Sequence, residues 1–391
     1  MKGILGIVVL VLMSLLFIGI AGSEVFTYTG NTGSGLATFV SNNGAGTYHA
    51  VNDILVTSQV NIPVDQVRFE DIEYTISMPS GNAIYNTGNG IEYEGCTIRQ
   101  YNTDTSVNCL VFHNASNIGN GVVVASPQVI DTVVYNYGSG IGISLYNPWI
   151  SYIKGSSVNG YGHSQGIGIK YDGTRCMEPH LTDVNVDHGY YGIYIAGIQG
   201  VYGQRVSCTN QFLPLAIDPS SDYMLCSNIL FSDSRFDVGY SGGEAVTVGW
   251  VNYPTPVGLI QTINFDNCDI VGSSAGISVM YGKYITISRS RLSSIQNCLY
   301  LYSYVDRALL TDSTITSFSQ SVPAICSSGD NVLINGNGFT TSPYTAWFTD
   351  SNKRFLINFN NHVAKICIGP GQIQVPIVGD PNYGVGYNSN P

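Results

Sequence analysis

Charge is scarce in this chain. Lys and Arg number 15 and Asp and Glu 26 in 391 residues, so 10% of the sequence is charged. Soluble domains average roughly 25%. Basic charge is the scarcer kind: the net charge is −11 and the pI near 4.8. That balance excludes a nucleic-acid binder, which needs a basic face. A disordered acidic chain would carry more charge and fewer aromatics. A coiled coil would be rich in Ala, Glu, Lys, Leu and Arg. No C-x-x-C occurs, which argues against a zinc ribbon or a thioredoxin-type site. There is no Asp-Asp pair and no R-x-K. Past residue 23 no stretch sustains a 3.6-residue period, so crossover helices are not expected.

One long apolar run is present. Met1-Lys2-Gly3 leads into an uncharged stretch from Ile4 to Ile20, then Ala21-Gly22-Ser23. This is the layout of a secretory signal peptide, with Glu24 as the first mature residue. The run is also long enough to span a bilayer, so an uncleaved anchor is the alternative reading of residues 1–23. Nine cysteines follow, an odd number, so at least one is unpaired. Most read as small buried apolar residues. Asn114-Ala115-Ser116 is an N-glycosylation sequon. The expected location is extracellular or the cell surface.

Gly (45) and Tyr (27) are abundant, and they fall into a repeat. An octet recurs: apolar-x-apolar-x-(Asn/Asp/Gly)-small-x-apolar. Ile91 to Ile98, Ile229 to Phe236 and Ile263 to Ile270 are clear copies, and Leu181 to His188 is one with polar substitutions. A second motif, a small residue followed by alternating apolar residues, appears at Gly140-Ile141-Gly142-Ile143, Gly166-Ile167-Gly168-Ile169, Gly192-Ile193-Tyr194-Ile195 and Gly276-Ile277-Ser278-Val279. The spacing is about 26 residues, within the range of repeat architectures. Period 2 means strand. Short strands without helices to carry crossovers predict a chain that coils and stacks on itself in parallel. The small position, filled by Cys96, Ser156, Val186, Asn210, Ser234, Cys268, Ser290, Ser313, Asn337 and Asn361, predicts a tight inward corner.

With these octets and their spacing, residues Val67 to Val363 resemble the right-handed parallel β-helix of the pectate-lyase-like superfamily. The expected fold is all-β: a single-stranded parallel β-helix of about 11–12 coils, preceded by the apolar signal or anchor helix of residues 1–23. Residues 24–66 are expected to form an N-terminal cap and first coil, and residues 364–391 a C-terminal cap or tail.

Enzymes of this superfamily supply motifs to test. The polygalacturonase-like set, N-x-D, D-D, G-H-G and R-x-K, is met only by Asn102-Thr103-Asp104 and a degraded Gly162-His163-Ser164. Hydrolysis by that scheme is excluded. Val186-Asp187-His188 resembles an Asp-His element of pectate lyases, whose R-x-P-x-x-R stretch is absent. Glu178-Pro179-His180 resembles the D-P-H motif of alginate epimerases, with Glu for Asp.

One segment gathers the missing charge. Between Tyr161 and Tyr191 lie His163, Lys170, Asp172, Arg175, Glu178, His180, Asp183, Asp187 and His188. Coil spacing places His163 and His188 near each other on adjacent coils. It also sets His188 in a column otherwise filled by Ile98, Val158, Ile270, Leu292 and Phe339. A polar residue in an apolar column marks a special contact or a site. His163 or His188 is then a general base, Arg175 or Lys170 a charge stabiliser, and Asp183 or Asp187 an orienting group. Tyr161, Lys170, Asp172, Glu178, His180, Tyr190 and Tyr191 are the candidate ligand contacts. The plain alternative is a set of ordinary turn residues and a histidine satisfied by backbone carbonyls. No cofactor or metal set is legible; Ca²⁺ is the ion these carboxylates could hold.

The expected function is a secreted or cell-surface scaffold, an adhesin or envelope component, that binds a polysaccharide, a surface glycan or a partner surface. The alternative is a lyase or C5-epimerase acting on uronate polymers. Nucleic acid is not an expected partner, and a membrane is one only through residues 1–23 if they stay attached.

Overall fold

The computed structural model describes residues 24–113, 124–161, 166–219, 225–249, 260–319, 321–340, 346–348, 355–359 and 366–368. The apolar segment 1–23, the sequon at Asn114, His163 and most of residues 364–391 lie outside them. The chain winds as a right-handed parallel β-helix of about 12 coils. Every strand pairing among the described residues is parallel and joins one coil to the next. The ladder begins at Val25–Tyr28 and ends at Ile366–Ile368, so it runs past Val67 and Val363 at both ends.

Each coil is built on three main strands, as in Ile141–Tyr146, Tyr152–Lys154 and Ser157–Asn159, and in this coil a short fourth, Pro148–Trp149, follows the first. These define three faces. Alternation sends every second side chain inward, and stacking aligns those side chains into columns. On the first face one column reads Ile84, Leu110, Ile143, Ile169, Ile193, Leu215, Val246, Ile277, Leu299, Ile325. All of these are buried. On the second face Tyr48, Phe69, Tyr93, Val129 and Ile153 stack, then Leu181, Gly203, Phe231 and Phe265. The core is one continuous stack of apolar columns.

The corner between the second and third faces explains the octet. Its fifth position is left-handed throughout, as in Asp71, Asp131, Asp183, Arg205, Asp233, Asn267 and Arg289, with φ between 48° and 55°. Asn and Asp tolerate this region best of the non-glycine residues. The next residue turns inward and forms a hydrogen-bonded ladder. The Thr132 amide donates to Ser156 Oγ (3.1 Å), that of Ser290 to Ser313 Oγ (3.1 Å), and that of Ser313 to Asn337 Oδ1 (2.9 Å). In this column Thr132, Val184 and Val206 stand where the sequence spacing put none, Val186 and Asn210 respectively.

Asn337 closes both sides of its rung, because its Nδ2 donates to Leu310 O at 2.9 Å. Asn337→Ala is expected to cost about 2–4 kcal/mol, since a buried amide and a buried carbonyl lose their partners. A lowered urea midpoint at unchanged slope measures it.

A helix, α1 (Gly33–Asn43), sits within the 24–66 segment, where no helical period was legible. Only Gly33, Leu36 and Val40 of it are buried, amid Gly, Ser, Thr and Asn. Thr32 caps its start, accepting from the Gly35 amide at 3.2 Å, and Gly44 ends it at φ 84°. Gly33 lies against Val60 and Val56, where a Cβ would clash. The helix thus covers the open end of the first coils, the capping that a stacked repeat requires. Cys96, Cys109, Cys208, Cys226, Cys268, Cys298 and Cys326 are buried and unpaired. Burial pushes the Cys96, Cys268 and Cys298 thiols up to about 12, which keeps them inert.

Candidate functional site

The first face carries an outward strip that crosses six coils. Its side chains alternate with the buried column, so Ser144, Lys170, Tyr194 and Ala216 form one outward row. Tyr146, Asp172, Ala196 and Asp218 form the next. Tyr146 and Asp218 end their strands, whereas the strands that hold Asp172 and Ala196 run on through a corner. Asn147, Gly173 and Gly197 make that corner at positive φ, and a Cβ on Gly173 would meet Asn147 Oδ1 at 2.0 Å.

The strip opens with aromatic rings. The Tyr85 hydroxyl shares a 2.8 Å hydrogen bond with His113 Nδ1. The His113 ring stacks on Tyr146, with centroids 4.5 Å apart. Burial lowers the His113 pKa, which keeps the imidazole neutral. Next, Lys170 Nζ pairs with Asp172 Oδ2 at 2.8 Å and lies 5.9 Å from the Tyr194 ring centroid. Tyr194 packs edge-on against Tyr191 at 5.3 Å, and Tyr191 against Tyr190 at 4.7 Å. Tyr190 stacks on Phe212 at 5.1 Å.

Asp218 ends the strip. It is 6% exposed, yet no cation pairs with it among the described residues. The Tyr194 hydroxyl donates to its Oδ2 at 3.4 Å, and its Oδ1 has no hydrogen-bond partner. Burial pushes the Asp218 carboxyl up to about 7, only partly offset by the Tyr194 hydrogen bond. Burial first, and then the Asp218 charge, raise Tyr194 well above the usual phenol range. A carboxyl that is half protonated near neutrality, in contact with a phenol, is equipped to give or take a proton.

The expected site residues therefore divide. Lys170, Asp172, Tyr190 and Tyr191 join this strip. Asp187 and His188 form a separate pair at a corner, where Asp187 Oδ2 accepts from His188 Nδ1 at 2.8 Å. Asp187 Oδ1 also accepts from Asn210 (2.8 Å) and Thr209 (3.2 Å). Burial works to raise the Asp187 pKa, but the hydrogen bonds from Asn210, His188 and Thr209 outweigh it and hold it low.

His188 does not stand in the apolar column. Val186 fills that place between Val158 and Cys208, and His188 lies two residues on. Its backbone is left-handed (φ 60°), as is that of its neighbour Asn210 (φ 61°). Asp183 is taken by a corner ion pair, accepting from Arg205 at 2.9 Å. His180 is sandwiched between Tyr152 and Tyr202 at 5.0 and 5.2 Å. Glu178 is an exposed corner residue at φ 53° beside that stack. Tyr161 lies in a different aromatic patch, 5.3 Å from Tyr137, which touches Tyr101. Arg175 belongs to strand Ile167–Met177, past a register shift that follows Asp172, and its side chain is outside the described set. The proposed neighbour of His188, His163, is outside the described residues. Among the described residues no group of three or more His, Cys, Asp or Glu is placed to hold a metal ion.

The fold defines this chain as a parallel β-helix protein. No family model matches it, and no curated protein matches it in sequence. Among solved structures it is similar in fold to the Dettilon tailspike protein gp208, with TM-score 0.48, 12% identity, and coverage of 91% of this chain and 68% of that one. It is similar also to the A-module of the Azotobacter vinelandii mannuronan C-5 epimerase AlgE6 (TM-score 0.42, 12% identity, 89% and 94% covered). The periplasmic alginate epimerase AlgG gives 0.44 at 10% identity, with 88% and 85% covered.

Proposed function

We propose that this protein is an exported β-helix scaffold that binds a glycan along the first-face strip. The observation that carries this reading is the run over successive coils, in two adjacent rows, from Tyr85 through His113, Tyr146, Lys170 with Asp172, and Tyr194 to Asp218. Successive coils lie about 4.8 Å apart, close to the length of one pyranose in an extended chain. The half-buried rungs from Tyr85 to Tyr194 thus each present a ring or a hydrogen-bonding group to one sugar. Rings offer an apolar face with a polar tip, which suits a sugar. A rigid scaffold pre-organises them and spares ordering entropy on binding. The apolar leader at residues 1–23 supports export.

Binding to an array of neutral and uronate polysaccharides tests this. Tyr146→Ala and Tyr194→Ala are each expected to weaken affinity by about tenfold or more, some 1.4 kcal/mol. Tyr101→Ala, on the other patch, is expected to leave it unchanged. Equal binding by all three variants would remove the strip from the reading.

A lyase or epimerase on uronate polymers is the second reading, and the Asp187–His188 pair favours it. A carboxylate on Nδ1 orients an imidazole to act as a base at Nε2. Turnover of alginate or polygalacturonate that disappears in His188→Ala would establish this reading; binding without turnover on either polymer would end it.

A further inference from the structure

The second aromatic patch takes no part in the glycan reading, and its geometry suits other chemistry. It stands where the third face turns into the first. Gln100 pairs with Asn136 and Tyr135 with Asn159, so Tyr101, Tyr137 and Tyr161 share one register position on three consecutive coils. Tyr137 lies in the middle. Its ring centroid is 5.1 Å from that of Tyr101 and 5.3 Å from that of Tyr161, with planes inclined by 54° and 32°. The outer two rings, Tyr101 and Tyr161, are 51% and 61% exposed. The cysteines described above are buried and unpaired, so they supply no tie between coils.

We propose that this patch is an oxidative modification site, at which Tyr137 couples to Tyr101 or Tyr161 and the dityrosine formed ties adjacent coils together. The oxidant is hydrogen peroxide, used by a haem peroxidase. Each phenol gives up one electron and its hydroxyl proton. The phenoxyl radical left behind carries spin on the ring carbons ortho to oxygen. A carbon–carbon bond forms between one ortho carbon of each ring. The hydrogens on those two carbons then move to the oxygens and restore both phenols. In sum, two tyrosines and one peroxide give one dityrosine and two waters. Rings already in contact react as one molecule, at an effective concentration that separate chains cannot reach. The product constrains the unfolded chain as a disulfide does. In a fold whose coils touch only their neighbours, it also opposes local opening at that point.

Proximity alone does not select this patch. Tyr300 and Tyr302 are 4.4 Å apart, and Tyr190 and Tyr191 4.7 Å. Both of those pairs are half-buried, and each joins residues of one strand, so coupling there would tie no coils together. Tyr300 also faces the Cys326 thiol on the next coil. A thiol is a hydrogen-atom donor and returns a phenoxyl radical to phenol. Tyr202, the exposed end of another stack, touches His180, and exposed Tyr284 touches Arg307. Neither partner ring or group can couple in this way. The Tyr101–Tyr137–Tyr161 ladder combines exposure to an oxidant, contact between phenols and placement on different coils.

The full chain, dilute and treated with hydrogen peroxide and a haem peroxidase, tests this. Dityrosine fluorescence gives the yield, and mass spectrometry of the digested protein locates the bond. The expected product is a single chain lighter by the two hydrogens lost, with the Tyr137 peptide joined to that of Tyr101 or Tyr161. Tyr137→Phe keeps a ring in the stack and removes the hydroxyl that reacts. It should lower the yield about tenfold, as the oriented pair is lost. The double variant Tyr300→Phe/Tyr302→Phe should leave the yield unchanged. Treated wild type should unfold at a higher urea concentration than untreated protein, and treatment should not shift the midpoint of Tyr137→Phe. Wild type that yields no dityrosine, bonds found only between separate chains, or an undiminished yield in Tyr137→Phe would each overturn the proposal.

Discussion

Truncating Phe231 to Ala is expected to lower stability by about 3–5 kcal/mol, the range for a buried aromatic whose cavity cannot collapse. Phe231 is fully buried. Its ring lies parallel to that of Phe265, 9° apart in plane at 6.2 Å, and edge-on to Phe236 at 5.3 Å. Phe236 in turn meets Phe265 edge-on at 6.3 Å. The preceding coil yields space to this cluster: Gly203 stands in the same column, and a Cβ there would lie 2.2 Å from Phe231 Cδ1. A cavity left by Phe231→Ala is bounded by strands that their own ladders hold at fixed spacing, so relaxation is limited. Urea unfolding should show the lower midpoint. Gly203→Ala alone should also destabilise, by overpacking. In the double variant the added methyl enters the vacated space, so the two costs should sum to less than their total, with a coupling of about 1 kcal/mol. Strict additivity would show that the two residues do not share this space.

The coiled fold was legible because corner chemistry and alternation both leave marks on sequence. Ile91 to Ile98, Ile229 to Phe236 and Ile263 to Ile270 were aligned correctly: Gly95, Asp233 and Asn267 are all left-handed corners. The coil around His188 was misaligned by two residues. Its true octet is Pro179 to Val186, with the left-handed corner at Asp183. A slip of two preserves the in–out alternation, so apolar pattern alone cannot detect it. Asn185 imitated the corner residue, and the true small position holds the larger Val184. The same slip affected the Gly-rich motif, where Gly142, Gly168 and Gly192 are the stacked set. Helix α1 left no period because three buried positions in eleven residues are too few to show one.

The site was half legible for the same reason. Charge density pointed to Lys170 and Asp172, and tyrosine density to Tyr190 and Tyr191. Asp218 sits after the apolar stretch Leu213 to Ile217, alone and without a motif. Only the coil lengths of 24 and 22 residues bring Asp172, Ala196 and Asp218 into one row. Charge density also drew in Asp183 and Glu178, which serve corners. Scarcity of charge proved informative in a different way: an acidic side chain carries most chemical meaning where the fold withholds its partner.

Asp218 therefore gives a second large expected effect, and it runs opposite to the usual direction. A carboxyl raised from 3.8 to about 7 holds its proton more tightly folded than unfolded. Below pH 3.8 both states are protonated and the group is neutral towards stability. As pH rises through 3.8 to 7 the unfolded chain ionises first, so stability falls across that window. Above 7 the loss is complete. At about 1.4 kcal/mol per pH unit it reaches about 4 kcal/mol, an order-of-magnitude figure for a group this buried. Asp218→Asn removes the titration and keeps the shape. The variant should match the wild type in stability near pH 3 and exceed it progressively up to pH 8. Parallel urea titrations at four pH values measure the divergence. Curves that stay parallel, or a variant less stable at pH 8, would show that the carboxyl is not strained by its burial.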